Sequence, residues 1–513
     1  MELLSSLKLG KATGLDNLPS KFLKVGAPHI ANSMAHIINL TIRSGKIPSD
    51  LKQARVTPLF KKNDRTTPGN YRPVSILSIL SKIMEKVIHE QIEQYLQTAN
   101  LLYSHQFGFR KTYSTDICIM HLTDHIKSKS EEGMMTGMLL LDLQKAFDCV
   151  NHKILLHKLE AMGFGKTAIS WLQSYLCGRT QCVQLGNVLS ESLSVTCGVP
   201  QGSILGPILF LCYVNDMISW VSTKLLLYAD DSAIIASGKS VNDINNILTS
   251  ELHSIKNWLV DNKLSLHLGK TETILFGNKR KLRQHPDLRV TCDSQVLSAR
   301  DSVTYLGVTL DQSLAGNNNV ISSLSKIGNK LKFLYRNTKG FDLETKRMIV
   351  LALTQGHFDY GSTSWYTGLS KHFRSKLQVA QNKIIRYMLN LGPRAHIGVR
   401  EFDLVRLLPV DFRVLQLKAT YMYNIINNNI PNLFSVSLVR DQGVNIVTRS
   451  GSTAVVLPRD RSNTSFVYSA SRLWNSLPVD IQCADSKSTF KSKLKFWLSV
   501  QYRDTANDNF IYY

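Results

Sequence analysis

The sequence predicts an α+β protein. Three observations carry this: a short, uninterrupted apolar run, Met138–Leu141, that stops at an acid; two apolar runs, Leu225–Leu227 and Ala233–Ala236, flanking a polar Tyr-Ala-Asp-Asp-Ser tip; and helical periodicity that becomes the main pattern beyond about residue 315. At 513 residues the chain exceeds the size of a single hydrophobic core, so two or more lobes are expected.

In chain order, residues 31–44 carry apolar side chains at helical spacing, and so do 75–98 through Ile76, Ile79, Leu80, Ile83, Met84, Val87 and Ile88. Between them, Val56–Phe60 and Tyr71–Leu77 read as strands joined by a basic turn containing Pro, Gly and Asn, which makes a positively charged hairpin. Met138–Leu141 fits a buried strand ending at Asp142, and HKILLHKLEAMGF a short helix. The stretch VTCGVPQGSILGPILFLCYVNDM passes from a Gly/Pro turn into an apolar helix, and the two runs around Asp230 and Asp231 form a hairpin with the acids at its tip. Residues 241–263 read as a helix, Thr271–Phe276 and Val303–Leu310 as two further strands, and QSLAGNNNV as a boundary. In the last 120 or so residues, Asn427–Asn429 and 440–453 read as loops. FKSKLKFWLSV reads as a basic amphipathic helix, packed on one face with its lysines solvated, or else in contact with nucleic acid.

Composition narrows the partner. Lys plus Arg number 61 against 38 for Asp plus Glu, a formal charge of +23, which favours a polyanion, nucleic acid first and an anionic membrane surface after it. The eight cysteines include no CxxC pair or zinc-finger spacing and read as reduced thiols. No signal sequence opens the chain and no apolar run approaches the roughly 18 residues of a membrane span, so an intracellular, soluble protein is expected, in nucleus or cytoplasm.

The chemistry-bearing pattern is an Asp at a strand end and an Asp-Asp pair at a hairpin tip. Carboxylate oxygens on rigid scaffolding suit hard divalent cations, whose charge offsets the mutual repulsion of the acids. Taken singly, each of these acids is what an ordinary turn carries. Their surroundings give them meaning. The blocks KATGLDNLPSKFLK, NYRPVSILS, HQFGFRKTYST, LDLQKAFDCVNH, GVPQGSILGPILF, YADD, LHLGKTETILFG and VTYLGVTLD stand in the order found in reverse transcriptases. The sequence most resembles those of LINE-type, jockey-like non-LTR retrotransposons. RLWNSLPVDIQ and FKSKLKFWL resemble the tails of the same polymerases.

The resemblance implies a right-hand polymerase, with residues 1–40 extending the fingers, 41–310 forming the catalytic fingers and palm, 311–395 a helical thumb, and 396–513 a mainly helical region of uncertain structure. It implies RNA-directed DNA synthesis with two Mg²⁺ ions, or Mn²⁺, held by Asp142, Asp230, Asp231 and the Leu143 carbonyl. It makes Phe147 the steric gate against a 2′-hydroxyl, and Gln201 a neighbour of the incoming base or template. Lys61 and Arg72 clasp the triphosphate, while Lys270 protonates the leaving pyrophosphate. Arg110, Tyr228 and the Tyr305-Leu306-Gly307 block contact template or primer. The implied partners are an RNA template, a DNA primer and dNTPs.

A viral RNA-dependent RNA polymerase would share the palm, yet VPQG stands where its Ser-Gly motif belongs. No nucleophile elbow or HExxH helix occurs among the 14 histidines, which disfavours hydrolysis. A decayed or domesticated nucleic-acid-binding module is the alternative, against which all three metal aspartates are present. No endonuclease, Cys/His knuckle or RNase H is recognisable, so a 5′-truncated copy or partial gene is expected, dependent on others for target nicking and template removal.

Overall fold

The computed structural model describes residues 1–284, 288–293, 295–337, 340–438, 454–458 and 464–508. Its strands are β1 (Gln53–Phe60), β2 (Tyr71–Leu77), β3 (Met135–Leu141), β4 (Arg179–Leu185), β5 (Val188–Leu189), β6 (Leu193–Val195), β7 (Lys224–Tyr228), β8 (Asp231–Gly238), β9 (Glu272–Phe276), β10 (Arg289–Cys292), β11 (Gln295–Ser298), β12 (Ser302–Tyr305) and β13 (Val308–Asp311). Helices are interspersed with them up to residue 311 and dominate thereafter, so the expected α+β class is observed. The chain divides into two compact units, one of Met1–Phe109, Leu141–Ile234 and Thr249–Thr271, the other of Arg110–Leu140, Ile235–Leu248 and Glu272–Tyr513.

In the first unit β1 and β2 form the expected hairpin, Phe60 opposite Tyr71 and Leu59 opposite Arg72. Its turn is tied by Asp64, whose carboxylate accepts the Thr66 N–H at 3.0 Å and whose carbonyl accepts Asn70 Nδ2 at 2.7 Å. Strand β4 joins β1 in parallel and carries β5 and β6 on its other edge and end. The helical pattern of 75–98 is cut short. Residues up to Leu77 complete β2, and the helix Ile79–Thr98 begins after Ser78, whose hydroxyl accepts the Ser81 N–H and so caps it. The helix Leu205–Val214 has no polar face, and all its residues but Pro207 are buried, as a helix apolar all round must be.

Strand β3 is likewise buried except at Leu140, the pattern of a strand covered on both faces. It lies within a sheet of order β7-β8-β3-β9.

In the second unit the expected single strand Val303–Leu310 is instead the hairpin β12–β13, Tyr305 opposite Val308. The chain reverses at Leu306 and Gly307, with φ of +47° and +79°, a left-handed pair that the apolar pattern conceals and that glycine makes accessible. A helix starts at Asn317, inside the QSLAGNNNV boundary, and packs on the helix Lys371–Met388. The C-terminal region is helical: Val410–Ile426, Phe466–Ser476 and Lys487–Asp508 pack together. The Phe490 ring lies 4.3 Å from Tyr423 and 5.9 Å from Trp474, centre to centre. The last helix buries Phe490, Leu494 and Leu498 and exposes Lys487, Lys491 and Lys493, the packed form expected of FKSKLKFWLSV. Asp124, on the helix Thr115–Glu131, caps the helix Phe466–Ser476 by accepting from the Phe466 and Val467 N–H groups. The loop expected at 427–429 is a turn and bend, whereas 440–453 lies outside the described residues. Among the described residues no helix is long and apolar enough to cross a membrane.

Candidate active site

The first unit holds a cleft of about 1130 Å³ whose wall includes Lys61, Arg72, Asp142, Leu143, Phe147, Gln201, Asp230 and Lys270. Eight residues expected at the centre from sequence therefore share one cavity, although they span more than 200 positions of chain. Tyr228 and Asp231, their neighbours in the chain at the hairpin tip, are outside that lining, with Asp231 partly open to solvent.

Each acid is placed by backbone geometry. Asp142 is the first residue beyond β3, held where the His267 N–H donates to its carbonyl at 2.8 Å and the Gln144 N–H donates to Ser265 O at 2.9 Å. Those two bonds flank Leu143 and leave the Leu143 carbonyl unused by that partner segment. Asp230 sits at the tip between β7 and β8, after Ala229, which adopts the left-handed conformation at φ +57°. That conformation costs a non-glycine residue about 1 kcal/mol or more and needs support from its surroundings. Gln106 provides it. Its buried Oε1 accepts the N–H groups of Ala229 at 3.0 Å and Gly108 at 2.9 Å, while Phe107 and Leu227 bond backbone to backbone at 2.7 Å.

The electrostatics are those of crowded negative charge. Burial pushes the Asp231 carboxyl up to about 6, with the Asp230 and Asp142 charges adding to it. Burial also raises Asp230, Arg72 and Lys61 draw it back down, and Asp142 raises it further. Lys270 Nζ stands 3.5 Å from Asp142 Oδ2. Among the described residues no three His, Cys, Asp or Glu side chains converge closely enough to hold a metal ion as they stand. The donor set still fits a hard divalent cation, being all oxygen, rigidly mounted and destabilised by its own charge.

A stability test follows from the sign of the shift. Because Asp231 titrates higher in the fold than its ordinary value near 3.9, its stabilising contribution is full below about pH 4 and lost as the pH rises through about 6. Asp231→Asn in EDTA should therefore melt higher than the parent at pH 8, by no more than about 2–4 °C given its exposure to solvent, and show a smaller gain at pH 5. Mg²⁺ at pH 8 should raise the parent's melting temperature more than the variant's. Identical melting of the two proteins under all these conditions would remove the case for a strained carboxylate centre.

Around the acids, Phe147 stacks on buried Phe210 with ring centres 4.2 Å apart and meets the edge of Phe109 at 6.1 Å. Gln201 is held twice: its carbonyl accepts the Ser75 N–H at 2.7 Å, and its Nε2 donates to Asp148 Oδ1 at 2.8 Å. Gly202 follows at φ +125°, where a Cβ would lie 2.4 Å from Ser75 O, so the close approach is to β2 and only glycine permits it.

The remaining expected residues lie in the second unit. Arg110, half-buried, rests its guanidinium 4.1 Å from the Tyr113 ring centre. Tyr305 is 3% exposed, its hydroxyl 3.5 Å from Cys118 Sγ, so the ring anchors the turn and leaves Leu306 and Gly307 at the surface. Sequence reasoning missed Gln106, Phe109 and Asp148. All three lie inside the blocks HQFGFR and LDLQKAFD, and their contacts form only once distant segments meet.

Residues 60–310 match the family model described as "Reverse transcriptase (RNA-dependent DNA polymerase)". The chain is 28% identical over 398 residues to the probable RNA-directed DNA polymerase from transposon BS of Drosophila melanogaster, covering 75% of this chain and 44% of that one. Over residues 60–310 the chain carries a reverse transcriptase domain, similar to those of non-LTR retrotransposons. Over 397 residues the chain is also 26% identical to the RNA-directed DNA polymerase from mobile element jockey of Drosophila funebris, across 75% of its own length and 43% of the relative's. It thus spans less than half of the relatives it matches. A solved telomerase from Candida Tropicalis in complex with a telomeric RNA fragment superposes with a TM-score of 0.36 at 15% identity, over 79% of this chain and 68% of that one, a likeness too slight to carry any argument.

Proposed function

We propose that the chain is an RNA-directed DNA polymerase, adding dNMP units to a primer 3′-hydroxyl along an RNA template. The observation that carries this reading is the single cleft in which Asp142 and Asp230 face Lys61, Arg72, Phe147 and Gln201. Asp142, Asp230, Asp231 and the Leu143 carbonyl would hold two Mg²⁺ or Mn²⁺ ions, which when bound activate the hydroxyl and stabilise the leaving pyrophosphate. The protein's own groups do the rest by position and charge. Lys61 and Arg72 clasp the triphosphate, Phe147 closes the space beneath the sugar, and Gln201 borders the base. Lys270, whose ammonium is 3.5 Å from Asp142, would hand a proton to the departing pyrophosphate.

On this reading residues 41–310 carry fingers and palm, with 1–40 extending the fingers, and 311–395 the thumb. Tyr228, Arg110 and the Leu306-Gly307 turn, anchored by Tyr305, meet template or primer. The chain's charge of +23 makes contact mainly with phosphates, so affinity should fall steeply with salt.

The decisive experiment is primer extension on an RNA template with Mg²⁺ and dNTPs, comparing the parent with Asp230→Asn. The clasp has its own test. Arg72→Ala removes a forked cation and should raise the dNTP KM by roughly 10–100-fold, with Arg72→Lys in between because it keeps the charge and loses the fork. An unchanged KM in steady-state kinetics would take Arg72 out of the nucleotide site.

A further inference from the structure

Glu85 has no exposed surface and belongs to none of the groups assigned above. It projects from the helix Ile79–Thr98. Its Oε2 accepts the Ile204 N–H at 2.6 Å, and its Oε1 accepts the Tyr175 hydroxyl at 3.0 Å. The Arg179 guanidinium faces it with opposite charge, itself 2% exposed and donating from Nη1 to Tyr175 O at 3.1 Å. Burial pushes the Glu85 carboxyl up, while the Ile204 and Leu205 N–H groups, Arg179 and Tyr175 draw it back.

The bond to Ile204 fills a defined role. Ile204 is the N-cap of the helix Leu205–Val214, and its own side chain caps nothing. The first N–H groups of a helix need an acceptor, and the positive end of its dipole favours an anion. Glu85 supplies both from a different helix. Burying the carboxylate with Arg179 makes this a costly cap, because a buried ion pair is a poor source of stability.

What the cap adjoins explains the expense. Gln201 lies three residues before Ile204, and the segment from Val199 is already pinned elsewhere. The Val199 N–H donates to Phe147 O at 2.9 Å, Gln201 O accepts from Ser75, and Gln201 Nε2 donates to Asp148. Glu85 fixes the far end of that loop. We propose that Glu85 is a positioning residue for nucleotide addition, clamping Ile204 from beneath and so setting where Gln201 meets the incoming nucleotide.

This rests on the polymerase reading, and the experiment separates the two. Steady-state primer extension is measured for the parent, Glu85→Gln, Gln201→Ala and the double variant, with melting temperatures alongside. Glu85→Gln keeps the shape and replaces one acceptor oxygen by a donor. It is expected to raise the dNTP KM roughly tenfold, with primer–template affinity unchanged. On the Gln201→Ala background the same change should cost less than about twofold, because the element it positions is gone. Tyr175→Phe, which removes one hydroxyl, is run beside it, so that if Glu85→Gln fails to fold the cycle with Gln201→Ala is read from Tyr175→Phe. Parental kinetics in Glu85→Gln, or effects that multiply with those of Gln201→Ala, overturn the proposal and leave Glu85 a packing element. A parent that extends no primer overturns the polymerase reading and this proposal with it.

Discussion

Asp230→Asn is expected to abolish primer extension, with incorporation on an RNA template falling by about 10³-fold or more, the rate equivalent of the several kcal/mol that a bound cation contributes to the transition state. Asn matches Asp in shape, so the tip between β7 and β8 should keep its geometry, and the Gln106 bonds to Ala229 and Gly108 do not involve the substituted group. What disappears is one anionic oxygen donor of a set that already suffers from its own crowding. The variant should therefore melt no lower than the parent in EDTA while losing activity in Mg²⁺, a combination that misfolding cannot imitate. Equal incorporation by both proteins would sink the metal mechanism. Absence of incorporation by either would favour a decayed copy that retains the fold and has lost the chemistry.

The second large effect is on sugar selection. Phe147→Ala should admit ribonucleotides, lowering discrimination against them by roughly 10–200-fold, the range that one steric contact in a pocket controls. The ring is suited to exclusion because it is held: Phe210 stacks on its face at 4.2 Å and Phe109 stands nearly perpendicular to it at 6.1 Å. Truncation also removes that stacking and should destabilise the half-buried site by about 1–3 kcal/mol, so Phe147→Val, which leaves part of the volume, is the companion variant and should give a smaller relaxation. Competition between dCTP and CTP opposite a template guanine measures it directly. Unchanged selectivity in Phe147→Ala would assign the ring to the core alone.

Legibility varied with the kind of interaction. The hairpin β1–β2, the run into Asp142 and the acidic tip at Asp230 were readable because alternation, apolar runs and turn residues are local signals. The hairpin β12–β13 was not, since an apolar run looks the same whether it continues or folds back, and only the left-handed pair Leu306-Gly307 separates the two. Of the C-terminal helices only the last was readable, and the helix Phe466–Ser476 takes its cap from Asp124, more than 300 residues earlier in the chain.

Within the site, the sequence by itself determined which residue types stand in which order, and that was enough to place the chain among reverse transcriptases and to name Asp142, Asp230, Asp231, Lys61, Arg72, Phe147 and Gln201. Composition added the polyanion partner. Only the tertiary structure decided how those side chains are held: Gln106 bracing the left-handed Ala229, Asp148 and Ser75 pinning Gln201, and Glu85 capping the helix that follows. The reason is that such supports are hydrogen bonds between segments 53 to 126 positions apart, between backbone groups every residue carries and polar side chains common everywhere. A motif records the groups that act. The groups that aim them leave a mark only where the chain has folded.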